Sequence, residues 1–430
     1  MNVTSKMKCN LKSAVAVFVL MLLLGQICLA AETPETKSYS LEACLQLAYQ
    51  NSEALKTATL KFEKAQYGVK QAESGCLPSL TYNLYDQQSD TASMEGNGAA
   101  LTLSQNLYTG GKLQAGVNQA KLGLANAQEN ERQVKQKITY DVKAAFYQLW
   151  LATEKLKVAQ AAYDNMEKHF RNVEKKYQEG AVSHFDLMQA EVNWKKLKPE
   201  VISAQNALVL SRLNLGVLIG VKSETAFAIT ADGLGRTTPE KTALTLNEGL
   251  ETAYRDRPEM RQQQNSLESA RLAVAIAKAG YYPAVTASGS YQATGQDWDW
   301  DHVWAVKVNL SGMIFDGNAT KAKVAAAKVD VKTAESDETQ LQDSIRLALE
   351  SGLQSLEEST ETIAVQQANT ALMQNALQLT RLKLEEGLAT TTDLMDAQLD
   401  LDQTLNDYYN GICNYLTARA KLDLILGKDI

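Results

Sequence analysis

The chain runs through one pattern twice. The segment LEACLQLAYQNSEALKTA from Leu41 matches LNEGLETAYRDRPEMRQQ from Leu246, so that Leu41, Leu45, Ala48 and Tyr49 pair with Leu246, Leu250, Ala253 and Tyr254. Gly75 and Pro78 pair with Gly280 and Pro283 at the same offset of 205. From Gly110 and Gly317 onward the offset is 207: Gly180, Asp186, Leu187, Met188 and Ala190 meet Gly387, Asp393, Leu394, Met395 and Ala397, and Leu215 and Gly220 meet Leu422 and Gly427. Shared helical composition cannot place Gly and Pro punctuation at matching positions along a whole chain, so the pattern is an internal duplication. Repeat 1 spans 31–220, a linker spans 221–245, and repeat 2 spans 246–430. Each repeat reads as a helix to Gly75 (Gly280), two strand-like segments, a very long helix from Gly111 (Gly317) to about Tyr177 (Leu384), a turn at Gly180 (Gly387), and a return helix ending near Gly220 (Gly427).

The long helix of repeat 1 carries a heptad. Val142, Leu149, Leu156, Tyr163, Phe170 and Tyr177 fall seven apart, with Ala145, Ala152, Ala159, Met166 and Val173 between them. This is the a/d seam of a coiled coil. No proline interrupts the stretch from Gly111 to Gly180, so the helix reaches roughly 100 Å. The return helices continue the seam, with Leu187, Ala190, Trp194 and Leu197 in repeat 1 and Leu394, Ala397 and Leu401 in repeat 2. Pro199 falls inside the return helix of repeat 1 only; Asn406 replaces it in repeat 2, so a kink is expected in one hairpin and not in the other.

The segment Val303 to Phe315, VWAVKVNLSGMIF, alternates. Trp304, Val306, Val308, Leu310 and Ile314 point one way, and Ala305, Lys307, Asn309 and Ser311 the other. Leu101, Leu103 and Leu107 alternate with Thr102, Ser104 and Asn106 in the other repeat, while Leu80–Tyr85 and Val285–Tyr291 show the same period more weakly. Apolar outside and polar inside is what a lipid-facing barrel strand around a wet lumen requires. Trp298, Trp300 and Tyr291 suit an interfacial aromatic belt, with the loop around Asp297, Asp299 and Asp301 facing the exterior. One chain supplies four strands, whereas a membrane barrel needs at least about eight. An open sheet in lipid would leave its edges unpaired, so several chains must close the barrel together. Two copies would give a barrel filled by its own side chains; three would leave a passage.

The N-terminus reads as a signal peptide over 1–30. Lys6, Lys8 and Lys12 precede the apolar run Ala14–Leu24, and Cys28-Leu29-Ala30 offers small residues for cleavage. Cys28 raises the question of lipid attachment, but it follows the bulky Ile27 rather than a small residue. Beyond the signal no segment reads as a membrane-spanning helix. Cys44, Cys76 and Cys413 fit neither a zinc site nor a disulfide framework and read as buried thiols with at most one bridge. The net charge of −7, with basic residues spread along the helices, argues against a nucleic-acid partner. His169, His184 and His302 have no metal-binding partner at helical spacing, and no phosphate loop or nucleophile elbow is present. No enzyme, cofactor or metal is therefore expected. A periplasmic adaptor would show one hairpin in a β-rich domain rather than two in tandem. A trimeric spacer or adhesin would need a passenger for which no residues remain.

Taken together, the LEACLQLAYQNSEAL and LNEGLETAYRDRPEM openings, the Gly-x-x-Pro helix ends, the NLYTGG and MIFDGN strand exits, and the EGAVSHFDLMQA and EGLATTTDLMDA hairpin tips resemble the TolC-like outer-membrane efflux protein family. The resemblance covers essentially the whole mature chain. It implies a mainly α fold with a membrane β share: a homotrimer with a twelve-stranded β-barrel in outer-membrane lipid and a periplasmic α-barrel. It also implies partners, a periplasmic adaptor and an inner-membrane transporter. By position, Asp393 and Asp396 look like the family's acidic constriction, and Asp186 is the repeat 1 counterpart of Asp393. A threefold ring of such carboxylates would favour cations, could bind divalent metal, and should raise some carboxyl pKa values. Asp393 and Asp186 also stand where an acidic residue caps a helix start. The Arg and Tyr with which the family ties neighbouring hairpins are Ala389 and Leu384 here. The tip residues Gly180, Ala181, Val182, Gly387, Leu388 and Ala389 look like the adaptor-docking surface, and they are equally the residues of a tight helix–helix turn.

Overall fold

A computed structural model describes residues 37–87, 96–221, 227–231, 233–240, 243–296 and 299–428. The expected signal segment with Cys28, Trp298 of the expected aromatic belt and Asp297 of the expected exterior loop lie outside the described residues. Repeat 1 comprises β1 (Lys37–Tyr39), α1 (Leu41–Asn51), α2 (Glu53–Ser74), β2 (Ser79–Gln87), β3 (Gly96–Tyr108), α3 (Lys112–Gln178), α4 (His184–Lys196) and α5 (Lys198–Ile219). After β4 (Phe227–Ile229), repeat 2 comprises α6 (Leu246–Asp256), α7 (Pro258–Lys278), β5 (Ala284–Gln296), β6 (Asp299–Ser311), α8 (Ala319–Glu385) and α9 (Thr391–Ile425).

The duplication is legible in the long helices and in the turns that lead into them. Helices α3 and α8 are each 67 residues long. Both follow a strand through two consecutive left-handed residues, Gly110 and Gly111 (φ 64° and 84°) or Gly317 and Asn318 (φ 64° and 69°). Only Gly, and less readily Asn, adopts that conformation without strain, which explains the GG and GN pairs at the strand exits. The first helix of each repeat, expected to be continuous, breaks once. Ser52 is extended (φ −69°, ψ 114°) and its hydroxyl caps α2. Arg257 is extended (φ −69°, ψ 130°) because the following Pro258 disfavours the helical region for its predecessor.

The long helices pack as the heptads predict. Val142, Ala145, Leu149, Ala152, Met166, Phe170 and Val173 are buried, whereas Tyr177, at the tip, is exposed and rests against His184 at 5.7 Å. The return arm of repeat 1 is interrupted at Leu197, just before Pro199, while that of repeat 2 runs unbroken through 35 residues. Side by side the arms run α8, α9, α3, then α4 and α5, each packing on the next. The outer flanks carry apolar strips that are exposed among the described residues: Val209, Leu210, Leu213 and Val217 on α5, and Val365, Leu372 and Leu379 on α8. The α4–α5 arm also corrects the expectation about helical spans, since His184–Ile219 contains an 18-residue window of mean hydropathy 1.3. Its apolar content belongs to the coiled-coil seam and the lateral strip.

Four strands form one antiparallel sheet in the order β2-β3-β5-β6. Strand β6 starts four residues before the predicted Val303 and ends at Ser311, so Ile314 lies beyond it, exposed, with Met313 and Phe315. The ladder stops there because β5 begins at Ala284, opposite Ser311, and the preceding Pro283 has no N–H to donate. The linker is more than a tether: β4 pairs in parallel with β1, and Phe227 is buried against the helices. Cys44 and Cys413 are buried free thiols, each pushed up to about 11 chiefly by burial. Cys76 departs from expectation in being exposed, because it lies past the end of α2 at the turn into the sheet.

Candidate functional site

Over its middle the sheet segregates its side chains by chemistry. One face is built of cross-strand rows such as Tyr82, Leu101, Tyr291 and Trp304, and Leu80, Leu103, Gly289 and Val306. Val308 and Leu310 continue this face. The opposite face carries Thr81, Thr102, Ser290 and Ala305, and Ser79, Ser104, Ser288 and Lys307. Tyr82 and Trp304 are 76% and 75% exposed, so the apolar face has no cover among the described residues. In water that surface would be a severe liability; against lipid it is the favourable arrangement. Near the hairpin end, Tyr291 stacks on His302 at 5.8 Å, and its hydroxyl lies 3.0 Å from Nδ1. Strands β2 and β6 are the open edges of the sheet.

The opposite end of the molecule is the pair of hairpin tips. Gly180 (φ 75°) and Gly387 (φ 73°) close α3 and α8, with Ala181 N–H donating to Lys176 O and Leu388 N–H donating to Lys383 O, both at 2.8 Å. These are Schellman turns, repeated in both copies. They leave Ala181 and Leu388 exposed, with Val182 and Ala389 partly covered. Each return helix then opens with a reciprocal cap. The Asp186 carboxylate accepts from Ser183 N–H and Oγ–H at 3.0 and 2.7 Å, and the Asp393 carboxylate accepts from Thr390 N–H and Oγ–H at 2.7 and 2.8 Å.

Within one protomer these bonds act on both cap aspartates. The Thr390 backbone and side-chain donors hold Asp393 below the usual carboxylate range, and the Ser183 hydroxyl and backbone do the same for Asp186. Asp396, one turn further along α9, is exposed and forms no ion pair among the described residues. The described residues of one protomer bring together no carboxylate cluster able to hold a metal ion. The three aspartates therefore share one end of the molecule without meeting in a single protomer.

Two features of the hairpins were hidden from sequence reasoning. Gln189, the repeat 1 counterpart of Asp396, donates its Nε2 to Thr392 Oγ1 at 3.2 Å and joins the two tips. Further up α9, the buried Gln398 donates Nε2 to Asp402 Oδ1 at 2.8 Å. Burial pushes the Asp402 carboxyl up to about 6, against the pull of that hydrogen bond and with a further push from Glu200.

The sequence model described as Outer membrane efflux protein matches residues 44–221 and 249–428, one match per repeat. Nodulation protein T of Rhizobium leguminosarum bv. trifolii is 22% identical over 385 residues, covering 85% of this chain and 81% of that protein. Alkaline protease secretion protein AprF of Pseudomonas aeruginosa is 23% identical over 348 residues, covering 76% and 69%. Cation efflux system protein CusC of Escherichia coli is 21% identical over 378 residues, covering 83% and 79%. A solved CusC structure superposes with a TM-score of 0.80 at 18% identity, over 90% of this chain and 92% of that one.

Proposed function

Because the chain belongs to the outer membrane efflux protein family, we propose that three copies form one exit duct, a homotrimer that crosses the outer membrane of a two-membrane bacterium and extends into the periplasm. The observation that carries this reading is the four-stranded sheet with one apolar face, one polar face and two open edges. Three such sheets joined edge to edge make a twelve-stranded barrel with its apolar face to lipid and its polar face to water. Trp304, Val306, Val308 and Leu310 then face lipid, and Ile314 lies just past the strand. The apolar strips on α5 and α8 meet between neighbouring subunits, so the four long arms of each chain close into a helical tube below the barrel. The duct passes solutes and catalyses nothing. Its periplasmic partners are an adaptor, received at Gly180, Ala181, Val182, Gly387, Leu388 and Ala389, and through it an inner-membrane transporter. Purified protein in a planar lipid bilayer should conduct ions. Silence from the wild type and from an Asp393→Ala/Asp396→Ala double variant alike would sink the duct.

We place the constriction at this same end. Asp186 and Asp393 are committed to helix caps, which leaves Asp396 as the carboxylate available to the lumen. Three copies of Asp396 around one axis attract divalent cations. Millimolar Mg2+ or Ca2+ should therefore block wild-type conductance, and Asp396→Asn should lose most of that block while Asp393, held by its cap, keeps the tip folded. Unchanged block in Asp396→Asn would move the constriction elsewhere.

A further inference from the structure

The polar face of the sheet is almost free of charge. Among the described side chains of that face all are uncharged except Lys307 and Asp301, both on β6. Lys307 is exposed at the end of the row Ser79, Ser104, Ser288 and Lys307, and it forms no ion pair among the described residues. Its neighbours across the ladder on the same face of β5, Thr286, Ser288 and Ser290, offer only hydroxyls. Asp301 lies six residues away along the strand, about 20 Å, which is well beyond the Debye length of about 8 Å at physiological salt.

Closing the barrel does not supply a carboxylate either. Strands β6 and β2 are the two open edges, so a β6 edge meets a β2 edge where two copies join. Paired strands keep their polar faces on the same side, and the polar face of β2 is Ser79, Thr81, Asn83 and Tyr85. The sheet itself has no need of the charge. Asn83 pairs with Ala100 in repeat 1 as Ser288 pairs with Lys307 in repeat 2, so alanine serves at the matching position. A cation that neither the fold nor its neighbours employ is free to act on what passes.

We propose that three Lys307 side chains form an anion-binding ring inside the membrane part of the duct, where a multivalent anionic solute is held on its way out. The proposal rests on the three-copy duct reading, which makes the polar face the wall of a lumen. Twelve strands about 4.8 Å apart and tilted about 40° give a backbone radius of roughly 12 Å. A lysine stem carries its ammonium roughly 6 Å inward. Threefold symmetry then sets three ammoniums at one height, about 10 Å from one another. One phosphate-sized anion on the axis is within reach of all three, with serine hydroxyls of the wall as further donors. The lipid-embedded wall has a low dielectric and focuses the field of the ring into the lumen.

The test records currents through the purified full-length assembly in planar bilayers of neutral lipid. An Asp396→Asn background keeps charge at the tip from masking the ring. Under a KCl gradient, Lys307→Gln should lower the chloride-to-potassium permeability ratio at least about twofold, and Lys307→Glu at least about fivefold. Millimolar inorganic pyrophosphate should reduce the current through channels that keep Lys307. In Lys307→Gln the half-blocking concentration should rise about tenfold or more, while Lys307→Arg, which keeps the charge, should retain the block. The block should also fade in 1 M salt, where the Debye length is about 3 Å. Oligomer size on unheated gels checks assembly of each variant, and the uncharged Lys307→Gln decides the matter if Lys307→Glu does not assemble. An unchanged permeability ratio together with unchanged pyrophosphate block in Lys307→Gln would overturn the proposal. Channels that conduct without any dependence on Lys307 refute the ring alone, whereas no channels in any variant or in the wild type refute the duct.

Discussion

Val306→Arg is expected to abolish assembly into the outer membrane. Val306 stands in the row Leu80, Leu103, Gly289 and Val306 on the apolar face, with Lys307 beside it in sequence but on the polar face. An arginine near the middle of the lipid-facing surface costs about 2–4 kcal/mol per strand. A threefold assembly carries it three times, so the total is on the order of 6–12 kcal/mol, comparable with the whole stability of a typical domain. Membrane fractionation with unheated gel electrophoresis should show the loss of the oligomer band. Thr102→Lys puts a charge of the same sign on the opposite face, where Lys307 is already accommodated, and should assemble normally. If the two substitutions behave alike, the facing assignment is wrong.

The second large effect concerns Asp402. Its carboxyl is pushed up to about 6 by burial, above the value of about 3.9 for an unfolded aspartate. Below both values the group is protonated in either state and carries no penalty. As pH rises between them the folded state holds the proton more tightly, so stability falls and the penalty is complete above about pH 6. Asp402→Asn should remove that penalty and stabilise the protein at pH 7.5 by about 2–3 kcal/mol per chain, with little change at pH 4. Asp186, Asp393 and Glu248 oppose this trend: their carboxyls are held low by cap hydrogen bonds, and their contribution is lost only as pH falls below the ordinary carboxylate range. Thermal loss of helicity, followed from pH 4 to 8 in wild type and Asp402→Asn, reads the difference directly. Parallel curves would show that the site is more hydrated than its packing indicates.

Which parts of this molecule the sequence could reveal follows from the range of the interactions. The heptad through Val142, Leu149 and Phe170 and the left-handed pairs Gly110-Gly111 and Gly317-Asn318 are local, and each was readable where it stands. So was the kink before Pro199. The break at Ser52 was less visible, because a serine inside a helical pattern reads equally as an exposed helix residue or as a cap. Strand β6 was placed by its apolar alternation from Val303, but its true start at Asp299 depends on pairing with Gln296 across the hairpin. Its end depends on Pro283 in the neighbouring strand. The Gln189–Thr392 bond and the environment of Asp402 join residues of different hairpins, and no periodicity marks them. Resemblance pointed to the three tip aspartates, and the hydrogen bonds divide them, since two cap helices and one does not.

The sheet's central seam has a consequence for how the chain comes into being. Strand β3 pairs with β5, so Leu101 meets Tyr291, a partner 190 residues later. Lys37 and Phe227 are separated by the same distance in the β1–β4 pair. At ribosomal rates of about 5–20 residues per second, the β2–β3 hairpin waits roughly 10–40 s for the strand that completes its inner edge. During that interval its apolar face and both of its edges are open to other chains. The arrival of β5 pairs the free edge of β3 and leaves only β2 and β6 as edges, so slowing synthesis between residues 110 and 290 should raise aggregation more than slowing it anywhere after β6.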